Sequence, residues 1–186
     1  MAPIRPPRKV HHILPLPGPR ADLDDSPPFG RTVVQEVDFL VELMDLKPRQ
    51  KILDMASGAG RHALELARRE FRHVTALDLS DQLLEIGRRC AKTLDLPVEF
   101  LKGDARKAPQ RDHYDAALIL GGGAFGLMES DLENLAILDA AFTALKPGGR
   151  MAVSARNLLH LLRHQEDLSG FDPQTHYYTT VDQVHV

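Results

Sequence analysis

The sequence predicts an α/β protein in which helices cover both faces of a mostly parallel, doubly wound sheet. Strand-like and helix-like segments alternate five times with short connections, and such alternation joins parallel strands through helical crossovers. The fourth strand-like segment, Tyr114 to Leu120, is almost wholly apolar, as is typical of a strand covered on both faces. Glycine turns or acidic residues follow the strands. These positions lie at the carboxyl ends of the strands, the edge at which an open parallel sheet binds its ligands.

The elements of the first half follow from hydrophobic spacing and helix signals. Apolar residues recur at helical spacing from Val33 to Met44, and Pro48 is expected to stop this helix. Ser80 is a suitable N-cap for a later helix. The further elements predicted before Pro97 are a strand at 51–55, a helix around 63–67, a strand at 73–79 and a helix that continues through Cys90.

The second half continues the same alternation and then loses its regularity. Ser130 and Glu133 form a capping box ahead of a helix, and the run Lys146-Pro147-Gly148-Gly149 should break that helix before a fifth strand. The predicted elements are strands at 98–101 and 114–120, a helix at 135–145, a strand at 150–155, a short helix at 157–168, a turn at 171–173 and an exposed strand at 177–186.

Composition divides the chain into three parts. Residues 1–30 hold eight of the thirteen prolines, so we expect an extended, irregular and flexible leader there. Residues 31–157 carry the alternating elements and form the predicted core. Residues 158–186 are interpreted as the start of a helix and β insertion that is cut short.

Charge and cysteine usage exclude several classes of protein. The formal charge of -3 provides no general attraction to nucleic acid or to an anionic membrane surface. Cys90 is the only cysteine, so the chain cannot form an internal disulfide. It contains no apolar run of the roughly eighteen residues that a membrane span needs. A cytoplasmic protein without membrane or nucleic-acid partners is therefore predicted.

The residues that follow successive strands form one set. Gly58 and Gly60 permit a tight turn and a close approach of ligand to backbone. Asp78, twenty positions beyond Gly58, stands where an acidic side chain accepts hydrogen bonds from ribose hydroxyls. Each signal is weak alone, and their occurrence in order is what favours a cofactor site. The other members are Asp54 after the first strand, Asp104 and Ala105 after the third, and the loop that Gly121 opens after the fourth.

The glycine turn is compatible with two kinds of cofactor. The spacing Gly58-x-Gly60-x-x-Ala63 also matches the dinucleotide fingerprint. A carboxylate such as Asp54 at the mouth of a phosphate site would repel the anion that a helix N-terminus attracts. S-adenosylmethionine has no phosphate and carries a sulfonium and an ammonium, so Asp54 favours it, unless this side chain points away or pairs with Arg61.

These motifs resemble those of class I S-adenosylmethionine-dependent methyltransferases, which have a Rossmann-like fold. The run Ile52–His62 is similar to their first motif, and Val74–Ser80 is similar to their second strand with its ribose-binding acid. Gly103–Ala105 resembles their adenine-contacting segment, and Leu145–Arg150 the turn before their fifth strand. The likeness extends from about residue 31 to residue 157.

The resemblance implies S-adenosylmethionine as the cofactor and direct displacement at its methyl carbon by an unidentified, small-molecule acceptor. The cofactor brings the chemistry and the protein supplies alignment and a dry pocket, so no catalytic base is named. Carried over, the cofactor-binding set comprises Asp54, Gly58 and Gly60 at the methionine half, Asp78 at the ribose, Asp104 and Ala105 at the adenine, and Ala56, Leu79 and Gly121.

The chain departs from the family pattern in two places. Ala56 stands where the family motif usually has a third glycine, which puts the cofactor affinity in question. Five of the family's seven strands are identifiable, so the uncovered edge of the sheet would favour self-association. The segment from Gly170 to Val186 resembles a β-rich insertion of some small-molecule methyltransferases.

Other functions stay open at this point. One is an NAD-dependent oxidoreductase that uses the Gly58/Gly60 turn, and another is a non-catalytic, shortened methyltransferase-like protein. No metal site is predicted, because His160 and His164 share a helical face without a third ligand. Four residues after strands four and five lie within reach of an acceptor, although a structural role is the simpler reading for each: Phe125, Arg156, Asn157 and His160.

Overall fold

The computed structural model of the chain describes residues 31–120, 124–154, 171–172 and 177–178. Its helices are α1 (Arg31–Leu43), α2 (Arg61–Arg68), α3 (Asp81–Leu94) and α4 (Asp131–Ala144). Its strands are β1 (Lys51–Met55), β2 (His73–Asp78), β3 (Val98–Lys102), β4 (Tyr114–Ile119), β5 (Leu145–Val153), β6 (Phe171–Asp172) and β7 (Tyr177–Tyr178).

Five strands form one parallel sheet in the order β3-β2-β1-β4-β5. The chain moves outward from β1 through β2 to β3 and then crosses back to β4 on the other side of β1. The strand order therefore reverses between β1 and β4, the point at which open α/β sheets bind their ligands. This topology confirms the predicted doubly wound α/β class.

Alternate residues of β1 enter two separate apolar clusters, one on each face of the sheet. Ile52 packs in a cluster with the buried faces of α1 and α2. Leu53 and Met55 pack in a second cluster with the buried face of α4. Successive side chains of a strand point to opposite faces, so the sheet is covered on both sides. The buried part of β1 is therefore apolar except for Asp54.

The structure corrects the start of the fifth strand. The run Lys146-Pro147-Gly148-Gly149 was expected to precede a strand beginning at Arg150, whereas β5 already begins at Leu145. Leu145 has extended backbone angles directly after α4 and pairs with Tyr114, and the next pair joins Arg150 to Ala116. The proline–glycine run thus forms a bulge inside the strand, where Gly148 supplies a φ of +83°.

The last helix of the sheet and the segments beyond it also differ from expectation. α4 begins at Asp131 instead of Leu135, because Ser130 Oγ accepts the Glu133 N–H at 3.3 Å and caps the helix there. Phe171–Asp172, predicted as part of a turn, is a strand that pairs antiparallel with Tyr177–Tyr178. Several predictions concern parts of the chain outside the described residues, namely the leader at 1–30, Gly121, Arg156, Asn157, the His160/His164 pair, the helix at 157–168 and the strand beyond Tyr178.

At the edges of the five-stranded sheet lie β3 and β5. Self-association through an uncovered edge stays a prediction, which light scattering of the purified chain can test. No helix among the described residues is both long enough and apolar enough to cross a bilayer.

Close approach of α3 to the first glycine turn depends on Gly87. A Cβ atom at this position would lie 2.6 Å from the backbone oxygen of Ala59 and 2.3 Å from Cε1 of Phe100. Both distances are far below van der Waals contact, and the backbone oxygen has no alternative rotamer. Gly87 thereby lets α3 rest directly on the turn that follows β1.

We expect Gly87→Ala to destabilise the protein by about 1–3 kcal/mol, the usual cost of overpacking a well-packed site. Urea denaturation followed by circular dichroism measures this change. Arg89→Ala on the exposed side of the same helix is the matched control and should change stability by less than about 0.5 kcal/mol. Equal stability of the Gly87→Ala variant and the wild type would contradict the close packing described here.

Candidate functional site

A cavity of about 520 Å³ opens at the carboxyl ends of the strands, beside the point where the strand order reverses. Its volume lies within the range of sites for small molecules and cofactors. Five residues of the predicted cofactor set line it: Ala56, Asp78, Leu79, Asp104 and Ala105. Residues from three separate strand ends thus meet in one cavity, which we call the strand-end cavity.

The turn after β1 is built from left-handed backbone. Ala56, Gly58 and Gly60 have φ angles of +53°, +59° and +74°. A Cβ at Gly58 would meet only Leu83 Cδ1, at 4.0 Å, so its backbone is open to close approach. Ala56 occupies this region although a Cβ makes it costly by about 1–2 kcal/mol. At the position where the family usually has a glycine, Ala56 thus adopts a strained left-handed backbone, the conformation that glycine favours.

Gly60 does not line the strand-end cavity. A Cβ at this position would lie 2.8 Å from Phe100 Cε1 and 3.6 Å from Ala76 Cβ. Its conformation and its missing side chain instead let the start of α2 pack over β2 and β3. Contact of Gly60 with the methionine half of a cofactor stays a prediction.

Asp78 joins two neighbouring segments through its carboxylate. Oδ2 accepts the Gly58 N–H at 2.7 Å, and Oδ1 accepts the Ser80 N–H at 2.8 Å. The carboxylate therefore fixes the glycine turn after β1 and the approach to α3 at the same time. Each oxygen retains a second lone pair, so these bonds leave acceptor capacity for ribose hydroxyls at the cavity wall.

Asp54 is a buried carboxylate with an unused acceptor. The side chain is 1% exposed, and its Oδ2 accepts no hydrogen bond from any residue that the structure describes. Burial raises the pKa of Asp54 to about 6, and the charge of Asp78 adds to this, while His62 and the Ala63 backbone N–H oppose it. A buried acceptor without a donor is costly, and a ligand cation would satisfy it. The pairing of Asp54 with Arg61 that the sequence left open is not among its interactions.

His62 lies beside Asp54 in the first turn of α2. Its Nε2 is 2.6 Å from Oε2 of Glu36 on α1. Burial alone would lower the pKa of His62, but the hydrogen bond to Glu36 and the charges of Asp54 and Glu36 raise it overall. Sequence reasoning missed this pair because its members lie 26 positions apart on different helices.

Asp104 is held by a neighbouring arginine. The Arg106 guanidinium contacts both carboxylate oxygens at 2.8–3.1 Å, and the Arg106 N–H donates to Oδ1 at 2.9 Å. These hydrogen bonds lower the pKa of Asp104 despite some desolvation. Arg106 also pairs with Glu133 of α4, so it bridges the end of β3 and the start of α4 along one wall of the cavity. Contact of Asp104 with an adenine amine stays a prediction.

The sequence did not identify the α4 side of the cavity. Six further lining residues come from this side and from the loop before it: Ala124, Leu127, Met128, Glu129, Glu133 and Ile137. Leu127 is 57% exposed and Leu79 on the opposite wall is 61% exposed. Exposed leucines at a cavity rim mark an apolar binding surface. Phe125, considered as an acceptor contact, instead packs against the second apolar cluster.

The described residues fit S-adenosylmethionine. Asp54 offers an orphaned anionic acceptor for an ammonium, and Asp78 offers lone pairs for a ribose diol. Ala105 is small and buried in the cavity wall beside Asp104, which leaves room for a planar ring. Asp78 suits the ribose of either cofactor, whereas the pyrophosphate of a dinucleotide would bring negative charge towards Asp54, so it is Asp54 that disfavours a dinucleotide.

Comparison with known proteins agrees with this geometry. A family model described as "Methyltransferase domain" matches residues 52–149, more than half of the chain. A demethylmenaquinone methyltransferase from Clavibacter sepedonicus is 39% identical over 105 residues, which is 56% of this chain and 40% of that protein. The chain thus spans less than half the length of this relative.

Solved structures show the same fold. The crystal structure of the PH0226 protein from Pyrococcus horikoshii OT3 is 26% identical with a TM-score of 0.66, over 78% of this chain and 68% of that one. The S-adenosylmethionine-bound amino pentose methyltransferase CalS10 from Micromonospora echinaspora is 23% identical with a TM-score of 0.57, over 68% and 50%. These matches confirm the predicted Rossmann-like methyltransferase fold.

The burial of Asp54 generates a prediction about stability. The folded protein holds the Asp54 proton up to about pH 6, whereas an ordinary aspartate releases it near pH 3.8. Ionisation above pH 6 therefore costs the folded state about 3 kcal/mol, at roughly 1.4 kcal/mol for each pKa unit. We expect Asp54→Asn to increase the free energy of unfolding at pH 7.5 by up to about 3 kcal/mol, and by progressively less as the pH falls to 5.

Urea denaturation at a series of pH values measures this effect. Asp139→Asn, an exposed carboxylate on α4, is the control and should leave stability nearly unchanged at each pH. If Asp54→Asn were equally destabilising at every pH, Asp54 would be a net stabilising group and the interpretation would be wrong.

Proposed function

This chain belongs to the methyltransferase domain family, and we propose that it transfers a methyl group from S-adenosylmethionine to a small-molecule acceptor. The observation that carries the proposal is the strand-end cavity, which is lined by the bridging carboxylate of Asp78 and by four other residues of the predicted cofactor set. The orphaned carboxylate of Asp54 is buried at the end of β1, outside the lining of the cavity. We include in this proposal a cofactor-binding core at residues 31–157, flanked by a proline-rich segment at 1–30 and a further segment at 158–186, and a cytoplasmic location.

In this proposal the residues of the chain bind and orient the cofactor. Asp54 binds the ammonium, Asp78 binds the ribose diol, and Asp104 with Ala105 borders the adenine. Ala56, Gly58 and Leu79 line the path between these groups, and Gly121 belongs to the same set. When bound, S-adenosylmethionine supplies a methyl group on a sulfonium sulfur that is already reactive, so alignment and exclusion of water are the main tasks of the protein.

The proposed acceptor is a small and largely apolar molecule. Leu79 and Leu127 form exposed apolar parts of the cavity rim, and the formal charge of -3 does not attract nucleic acid. The relative from Clavibacter sepedonicus is named for demethylmenaquinone, which makes this compound the first acceptor to test. Transfer of a labelled methyl group to it, followed by extraction and mass spectrometry, is the assay.

Cofactor selectivity is the first test of the proposal. Calorimetric titration should show one site for S-adenosylhomocysteine and much weaker binding of NAD, because Asp54 repels a pyrophosphate. Tighter binding of NAD than of S-adenosylhomocysteine would replace the proposal with the oxidoreductase alternative. Binding of S-adenosylhomocysteine without methyl transfer to any acceptor would favour the non-catalytic alternative.

Asp78 is the second test. Loss of a charged acceptor costs on the order of 1.5–3 kcal/mol, so Asp78→Ala should weaken binding of S-adenosylhomocysteine by about tenfold to a hundredfold. Asp81→Ala is the matched control, because Asp81 is an exposed carboxylate three positions away that pairs with Lys102. An unchanged affinity in a folded Asp78→Ala variant would mean that the ribose binds elsewhere.

A further inference from the structure

We propose that Glu36 and His62 are positioning residues that keep Asp54 anionic for the ammonium group of S-adenosylmethionine. This inference rests on the proposed function and deepens it. It assigns a role to a helix, α1, that contributes no residue to the lining of the strand-end cavity.

The three residues come from one strand of the sheet and from the two helices that cover one of its faces. Asp54 lies on β1, His62 lies in the first turn of α2, and Glu36 lies on α1. His62 is 8% exposed, and its Nε2 contacts Glu36 Oε2 at 2.6 Å. Ala63, the next residue of α2, donates its backbone N–H to Asp54. The start of α2 therefore gives the buried carboxylate one backbone donor, and the buried imidazole one residue earlier acts on it through charge.

The charged groups around these residues are few. Asp54 is faced by His62 from α2 and by Asp78 from β2. His62 is faced by Glu36 from α1, by Asp54 from β1 and by the adjacent Arg61. Glu36 and Asp54 together raise the pKa of His62 against burial and Arg61, which increases the fraction of imidazolium near neutral pH. That cation in turn opposes the rise in the pKa of Asp54 that burial causes.

A second buried carboxylate, Glu65 of α2, shows what a purely structural arrangement looks like. Glu65 has a fully buried side chain, and Arg68 and Arg69 donate to both of its oxygens at 2.7–2.8 Å. These guanidinium groups lower the pKa of Glu65 in spite of burial. Asp54 has no such permanent cation and keeps an orphaned oxygen, which is the arrangement that leaves room for a cationic ligand.

Charge balance favours the same conclusion. An imidazolium between two carboxylates leaves the Glu36–His62–Asp54 group with a net charge of minus one. One ammonium then neutralises the group, so the bound state has no uncompensated buried charge. Without Glu36 the imidazolium form of His62 loses a stabilising partner, so less positive charge remains to oppose protonation of Asp54.

The test is the pH dependence of cofactor binding in Glu36→Gln and His62→Gln. Affinity for S-adenosylhomocysteine is measured by calorimetry between pH 5.5 and 8.5. In the wild type, affinity should fall as Asp54 is protonated at acidic pH. In both variants the pH at which affinity has fallen halfway should rise by about one unit. A neighbouring opposite charge shifts a pKa by at least about this amount, and both variants weaken or remove that charge. Affinity at pH 6 should then drop about fivefold, since the ionised fraction of Asp54 falls from about one half to about one tenth, and the difference should nearly vanish at pH 8.5.

Two controls separate positioning from a structural role. Asp38→Asn makes the same carboxylate-to-amide change on α1 and breaks an ion pair with Arg69 that does not touch Asp54, so its pH profile should match the wild type. 5′-Methylthioadenosine, which lacks the amino acid portion, should bind the wild type and both variants equally. Glu36 is only half-buried, so Glu36→Gln alone decides the matter if His62→Gln does not fold.

The outcomes distinguish this inference from the proposed function. A wild-type protein that binds no S-adenosylhomocysteine at any pH would overturn both. Normal wild-type binding with unchanged pH profiles in the variants would overturn the positioning role and leave the function standing. A loss of affinity that is equal at every pH, or that also affects 5′-methylthioadenosine, would make the pair structural and likewise overturn the inference.

Discussion

The Asp78 carboxylate is the interaction on which the rest of the site depends. Its two oxygens hold the Gly58 and Ser80 N–H groups, so the turn after β1 and the approach to α3 have one common support. This turn contains Ala56 in a conformation that costs energy, and the Asp78 carboxylate adds to the backbone hydrogen bonds of Ser57 and Gly60 that stabilise it. The partly buried Asp78 carboxylate therefore fixes a strained loop and orders the wall of the cavity. Its remaining lone pairs face the cavity.

The burial of Asp54 lowers the stability of the folded state, as the proposed binding role of this carboxylate predicts. The first strand is otherwise wholly apolar in its buried part, and an aliphatic residue at this position would pack without an ionisation cost. The chain instead contains a carboxylate whose pKa is raised to about 6 by burial. Such a conflict between stability and charge is typical of functional positions. The nearby Glu65, which is neutralised by two arginines, shows that the same fold can bury a carboxylate without this conflict.

The sequence predicted the sheet, its strand ends and the residues there, because hydrophobic period and glycine turns are local signals. Asp78 and Ala105 could be located at the cavity from their positions after strands alone. The Glu36–His62 pair could not be predicted in this way, because its members belong to different helices and share no motif. The packing role of Gly60 against Phe100 was equally hidden, since a glycine in a turn gives no sign of which side chain crosses it. The early start of β5 was missed because a proline–glycine run usually ends a strand, whereas here it is accommodated as a bulge.

The direct junction between α4 and β5 has a mechanical consequence. Ala144 is the last helical residue and Leu145 already belongs to the sheet. The carbonyl oxygens of Thr143 and Ala144 accept the N–H groups of Asp112 and His113, so this end of the helix is tied twice to the segment before β4. Its other end is joined to β3 through exposed side chains, from Arg106 to Glu133. The helix is therefore held by backbone hydrogen bonds at the sheet and by side-chain contacts at the cavity rim. A widening of the cavity by movement of α4 would have to break the contacts at the rim, while the backbone bonds at the carboxyl end keep the helix attached to the sheet.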